Sequence, residues 1–235
     1  MTVGNLDMQP NIQTNWMVGN HLAGYVPDYT LAMVRDSAKT RARLLTTARD
    51  EFTEHGLAGA RVDRIAAQAG VNKQRIYALF GSKDKLFESV IGTALDEHIA
   101  ALGLPTDNPA DYVGRIYDFH REHPQLLRLM QWESLQFGQR QLPNHERRAA
   151  YYAEKVDALA ATLDASPGRD TAATLLTLIG LAAWPHALPQ LTRLILEPYV
   201  NDAEVAHRFL RERVVAFAAH ALDTISGASA STAVP

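Results

Sequence analysis

Apolar side chains recur every three to four residues along most of this chain, and no stretch alternates with the period of two that a half-buried strand requires. Leu44, Leu45, Ala48 and Phe52 form the first stripe, from about Ser37 to a stop at Gly56. Val62, Ile65, Ala66 and Ala69 form a short second stripe that ends at Gly70. Asn72 is a good N-cap for a third helix carrying Ile76, Tyr77 and Phe80, and Gly81 ends it. Ser82 caps a fourth, from Lys83 to about Leu102, striped by Leu86, Phe87, Val90, Ile91, Ala94 and Leu95. Helices are expected again at 109–122 and 124–137, each opening on a proline that a first turn tolerates, then at 146–163, 170–184 and 202–225. Pro185 and Pro189 read as an interruption between the last two. The fold class is all-α, with a small three-helix head ahead of a larger helical body.

The two ends lack the pattern. Residues 1–36 contain Gly4, Pro10, Gly19, Gly24 and Pro27 and show no period, which reads as a flexible N-terminal extension. The competing reading is an ordered arm that folds over the body through Trp16, Tyr25 and Tyr29. The Gly-, Ala- and Ser-rich residues 227–235 read as a flexible tail. The expected domains between them are 37–84 and 85–226.

Composition narrows the function. Apolar residues make up 47% of the 235, enough for a sizeable core. The absence of cysteine excludes disulfides, zinc-finger spacing and thiol nucleophiles, and fits a cytoplasmic protein. The first basic residue is Arg35 and no apolar run follows Met1, so no secretory leader is expected. The longest apolar run, Ala172 to Trp184, is broken by Thr174 and Thr177 and is too short to cross a bilayer, so no membrane partner is expected. Net charge is −3, which alone argues against a nucleic-acid partner, but its distribution reverses that reading. Between Met33 and Leu86, 11 basic and 6 acidic residues leave +5, while the remainder carries 12 basic and 20 acidic residues, or −8. A basic module on an acidic body suggests a small polyanion-binding head.

Within that basic module, residues 62–77 place two short helices around a tight turn. Ala66 is small enough for the helix axes to approach, Gly70 supplies backbone freedom, and Val71 with Ile76 fill the angle between the helices. That is the physics of a helix-turn-helix, whose second helix lies in the DNA major groove. Lys73, Gln74 and Arg75 point outward there and can donate to base edges or phosphates.

The spacing of Arg41, Leu45, Ala48 and Phe52 to Gly56, then of Val62, Ile65, Ala66 and Ala69 to Asn72, Ile76, Tyr77, Phe80, Ser82 to Asp84 and Leu86, resembles the DNA-binding domain of TetR-family repressors. The resemblance implies that the third helix reads DNA and that Tyr77 and Lys83 contact phosphates. It also implies a second, variable helical domain for ligand binding and dimerisation. Three positions depart from the usual pattern. Arg61 stands where a Ser or Thr commonly caps the second helix and contacts phosphate, so it is expected to bind phosphate as a cation above a weaker cap. Gln74 replaces a frequent small residue and adds a base donor. Leu79 replaces a common His or Tyr, so one phosphate contact is lost. The expected DNA-binding set is Arg61, Asn72, Lys73, Gln74, Arg75, Tyr77 and Lys83, acting on palindromic double-stranded operator DNA.

The body offers less specific signals. The last helix carries Leu210, Val214, Phe217 and Ala221 on one stripe, expected to face a symmetry mate in a homodimer. His120, Trp132, Glu133 and Gln136 are the candidates for contacting an unknown small organic effector, the last three because they lie within one turn. His120 and His123 share an i, i+3 spacing, but no third ligand is evident and no metal is expected. No cofactor is expected. No nucleophile elbow, phosphate-binding glycine loop or zinc-protease motif is present, so an enzyme is not expected. The leading reading is a dimeric regulator that represses a promoter and leaves it when an effector binds. The alternatives are a helical protein-interaction module and, more weakly, a small-molecule-binding enzyme.

Overall fold

A computed structural model describes the backbone of residues 28–231 and the side chains of 36–225. Those residues form ten helices and no strand. They are α1 (Asp28–Gly59), α2 (Val62–Gln68), α3 (Lys73–Phe80), α4 (Lys83–Leu102), α5 (Pro109–Glu122), α6 (Pro124–Phe137), α7 (His145–Thr162), α8 (Arg169–Ala187), α9 (Pro189–Leu196) and α10 (Ala203–Ser231). The described residues from Thr40 on form one compact unit, and those before Thr40, helical from Asp28, belong to another.

Three boundaries differ from the sequence expectation. α1 begins at Asp28 rather than near Ser37, and the rest of the expected extension lies outside the described residues. α10 continues past Ile225 to Ser231, beyond the end of its apolar stripe. The prolines at 185 and 189 do not delimit a loop. α8 runs through Pro185 to Ala187, and Pro189 opens α9 in a first turn, where a missing N–H costs nothing. The two helices bend by 79° at that junction, and no single described helix is long and apolar enough to cross a membrane.

The head is built on the stripes read from the sequence. Leu44, Ala48 and Phe52 of α1 close over Ile65, Ile76, Leu86 and Phe87, all fully buried. The Phe52 and Phe87 rings meet edge to face at 5.0 Å. Such pairs add about 0.5–1.5 kcal/mol beyond their burial. The α2–α3 turn is closed by Gly70 at φ 63, with Val71 N–H donating to the Ala66 carbonyl at 3.0 Å and Gly70 N–H to Ala67 at 3.2 Å. This pair of hydrogen bonds satisfies carbonyls in the last turn of α2 and fixes the angle at which α3 leaves. α4 then passes from the head into the body.

In the body, α5 is surrounded. Tyr112, Val113, Ile116 and Tyr117 are buried beneath α8 and α10. At Gly114 a β-carbon would stand 3.0 Å from Arg211 Nη2 and 3.1 Å from Val215 Cγ2, so the absent side chain lets α10 lie close. Arg211 Nε sits 2.8 Å from both carboxylate oxygens of Asp118 and ties the two helices.

Candidate functional site

The outward face of α3 is held out by what lies behind it. Ile76 and Phe80 are buried, and Lys73, Gln74, Arg75 and Tyr77 are exposed. Asn72 caps the helix, its Oδ1 accepting from Arg75 N–H at 2.8 Å. Its role is therefore to fix the first turn of α3, whose N–H groups and positive dipole end favour a phosphate. Arg41 anchors the far end, its guanidinium 4.4 Å over the Phe80 ring. Lys73 is paired with Asp63 at 3.0 Å, and this neighbour raises its pKa. Gln74 and Arg75 extend from the helix, and Tyr77 is 41% exposed. Lys83 is half-buried, its Nζ 3.3 Å from the Ala60 carbonyl at the entrance to α2.

Arg61 precedes α2 with no side-chain cap of its own. A distant residue takes that role. Glu51 of α1, buried, accepts from Arg61 N–H at 2.6 Å and from Arg64 Nε and Nη2 at 3.0 and 2.6 Å. Burial alone would push Glu51 up, but the bonds from Arg64 and Arg61 hold it below the usual carboxylate value. Sequence reading missed Glu51. The available signal was a carboxylate flanked by the buried stripe of α1, next to Phe52.

The four effector candidates do not converge. Successive helical residues point about 100° apart. Trp132 and Glu133 therefore leave α6 in different directions. Trp132 turns to α1, where its indole N–H donates to the Thr53 carbonyl at 3.2 Å. Gln136 is exposed. His120 is buried on α5 beside a separate hollow of about 480 Å³ that also exposes His186 and His207. Only Glu133 reaches the cavity between α4, α6 and α7, about 300 Å³ in volume. There it is buried and bonded to Arg148 at 2.7 and 2.9 Å. Leu95, Ile99, Met130, Leu142, Tyr151 and Tyr152 supply much of the remaining wall.

Lys155 was also missed. It lies four residues after Tyr151 and four before Leu159, so a cation on an apolar stripe of α7 was the signal. It is 1% exposed, its Nζ bonds to the Tyr112 hydroxyl, and it lies 4.4 Å from the centre of the Tyr151 ring. Burial lowers its pKa to about 8.

The four dimerisation candidates divide. Val214 is 5% exposed and faces its own protomer's core with Ala218 and Leu222, so it is not part of an outer seam. Leu210 is half-buried against the same core. Phe217 is 65% exposed, and Ala221 is exposed beside it. The stripe straddles the edge of the buried face, which the sequence pattern could not distinguish from its centre. Leu176 and Trp184 of α8, with Leu194 and Ile195 of α9, are exposed as well.

Comparison with known proteins places these features. Residues 44–90 match the family model of bacterial regulatory proteins of the tetR family, and residues 108–219 match a tetracyclin repressor-like C-terminal domain. The HTH-type transcriptional repressor SCO4008 of Streptomyces coelicolor is 38% identical over 168 residues, spanning 69% of this chain and 86% of that protein. The HTH-type transcriptional repressor NicS of Pseudomonas putida is 33% identical over 107 residues, 43% of this chain and 50% of that protein. Among solved structures, the transcriptional regulator SCO4942 of Streptomyces coelicolor superposes with a TM-score of 0.64 at 29% identity, covering 74% of this chain and 96% of that one.

Proposed function

The chain belongs to the TetR family of bacterial regulatory proteins, DNA-binding regulators of transcription, and from that premise we propose a homodimeric repressor released from a palindromic operator by a small organic effector. The observation that carries the reading is the face of α3. Its buried back and capped first turn leave Lys73, Gln74, Arg75 and Tyr77 presented together on a rigid support. Residues 37–84 form the DNA-binding domain in this reading and 85–226 the effector-binding and dimerisation domain. Arg61, Tyr77 and Lys83 hold phosphates, and Lys73, Gln74 and Arg75 approach base edges. Such a protein works in the cytoplasm, where bacterial DNA is.

A two-fold operator needs a two-fold protein, with half-sites about 34 Å apart per helical turn of DNA. The exposed apolar side chains of α8 and α10, Leu176, Trp184, Phe209 and Phe217 among them, support that pairing surface. The cavity holding the Glu133–Arg148 pair is the proposed effector site, because it adjoins α6 and α6 touches the head. A ligand that favours one α6 position shifts the dimer by no more than its difference in affinity between the two states. Trp132, one residue from Glu133, would transmit that shift to α1 through Thr53 and Gly56.

Footprinting of the protein on the intergenic DNA upstream of its own gene tests the reading. The expected outcome is a protected two-fold site, lost when Arg75 and Tyr77 are both replaced by alanine. Binding of equal strength to every duplex offered would refute it.

A further inference from the structure

The charges around the α4–α6–α7 cavity nearly cancel, and the residue that does not cancel is a cation. Glu133 is spent on Arg148, and Asp96 on Arg147. Lys155 stands behind Tyr151 with a hydroxyl and two aromatic rings around its ammonium and, among the described residues, no paired carboxylate. Although burial lowers its pKa to about 8, it is still mostly protonated at neutral pH. A buried charge without a counterion is strongly unfavourable. The same cluster holds two polar atoms, the Tyr151 hydroxyl and His98 Nδ1, both buried without a hydrogen-bond partner among the described residues. Tyr151 lines the cavity, and Leu95 and Ile99 of its wall flank His98 on α4.

We infer that the cavity binds an organic anion, an apolar or aromatic body bearing one carboxylate packed against Tyr151, with a rotation of that side chain bringing its covered hydroxyl to the carboxylate and Lys155 supplying the countercharge from behind the ring. The inference rests on the effector reading above. A phenol hydroxyl can donate to a carboxylate, but it also accepts from an ammonium, as Tyr112 does from Lys155, so the discrimination against a cation comes from the Lys155 charge. A volume of about 300 Å³ is at the small end for ligand pockets, which suits a compact ligand. The walls Leu95, Ile99, Met130 and Tyr152 would enclose its apolar part.

Three probes of one shape and different charge test this on the full chain by titration calorimetry: 2-naphthoate, 2-naphthamide and 2-naphthylmethylammonium. The carboxylate should bind roughly tenfold or more tighter than the amide, as expected for a charge-assisted bond, and the ammonium weakest. Lys155→Met should erase the preference for the carboxylate while leaving amide binding within about twofold. Tyr151→Phe should weaken the carboxylate more than the amide. Tighter binding of the ammonium, or a carboxylate preference that survives Lys155→Met, overturns the inference. The comparison of probes on the unaltered protein stands even where a variant fails to fold. Operator release is measured separately. If 2-naphthoate binds through Lys155 yet leaves DNA affinity unchanged, the anion site holds and the effector reading fails. If only the neutral or cationic probe releases DNA, the anion inference fails and the effector reading survives.

Discussion

The indole of Trp132 lies across Gly56 so closely that a β-carbon at residue 56 would stand 2.7 Å from two of its ring carbons. Gly56 also has φ 63, so a side chain there meets backbone strain as well as a ring. Gly56→Ala should therefore destabilise the protein by about 1–3 kcal/mol, read from its urea midpoint. Trp132→Leu keeps Gly56 but removes the ring packed against it and the bond to Thr53. It should leave operator affinity within a few-fold but reduce the loss of affinity that ligand causes. Unchanged ligand response in Trp132→Leu would rule out this contact as the link.

Glu51 closes the entrance to α2. Glu51→Ala leaves Arg61 N–H without its acceptor and should cost about 2 kcal/mol in chemical denaturation. Glu51→Gln keeps one acceptor and should cost less. Because its folded pKa lies below its free value, the stability it contributes is complete above about pH 4.5 and is lost as pH falls through the folded value. The Gln variant should lack that part of the acid dependence.

Lys83 and Arg75 should fail differently on DNA. If Lys83 holds a phosphate in each protomer as proposed, Lys83→Ala should weaken all sequences alike and the salt slope should fall by about 1.8. Arg75→Ala should relax preference at one base position per half-site, by about 1–3 kcal/mol. A Lys83 variant with an intact salt slope and altered sequence preference would reverse the two roles.

Two substitutions on α10 separate core from seam. Phe217→Asp places a carboxylate on each side of the proposed pairing surface and should give a folded monomer by sedimentation, with collapsed operator affinity. Val214→Asp buries a carboxylate within each protomer and should unfold it at any concentration. A Phe217→Asp protein that remains dimeric would move the seam away from this face.

Acid should destabilise the body through its histidines. Burial lowers His98 to about 3, and His120 and His186 to about 4. The unfolded chain protonates all three below about 6.5 while the folded one does not. Stability attributable to them is full above about 6.5 and falls as pH drops toward 4, where the folded groups begin to charge. Unfolding at pH 5 should take up roughly three protons at these sites. Replacing the three by glutamine should flatten the denaturation midpoint between pH 7 and 5.

The helices of the head were legible because each carries an amphipathic stripe that a glycine breaks or ends: Gly56 at φ 63 inside the last turns of α1, Gly70 after α2 and Gly81 after α3. Asn72 was legible as a cap because capping is local. Glu51 was not, since it caps α2 from a different helix and only tertiary packing brings it there. α9 was missed because two prolines five residues or fewer apart look like a break, although Pro189 opens a helix as Pro109 and Pro124 do. The effector candidates on α6 were grouped by their closeness in sequence, but helical rotation turns Trp132 to α1, Glu133 to a cavity and Gln136 to solvent. For the same reason Val214 and Phe217, nearly one turn apart, lie on opposite sides of the burial boundary.

The division of α3 into a buried back and an unsupported front bears on how such a regulator changes over generations. Ile76, Phe80 and the Asn72 cap hold the helix whatever stands at 73, 74 and 75. On the proposed base-reading role of those three positions, mutations there would alter which sequence is read at little cost to folding, since exposed substitutions usually shift stability by under about 0.5 kcal/mol. A duplicated gene can therefore drift to a new target through viable intermediates. The counterpart is a constraint at Asp63: because it pairs with Lys73, a change at 73 strands a carboxylate beside the DNA face, and the two positions should diverge together.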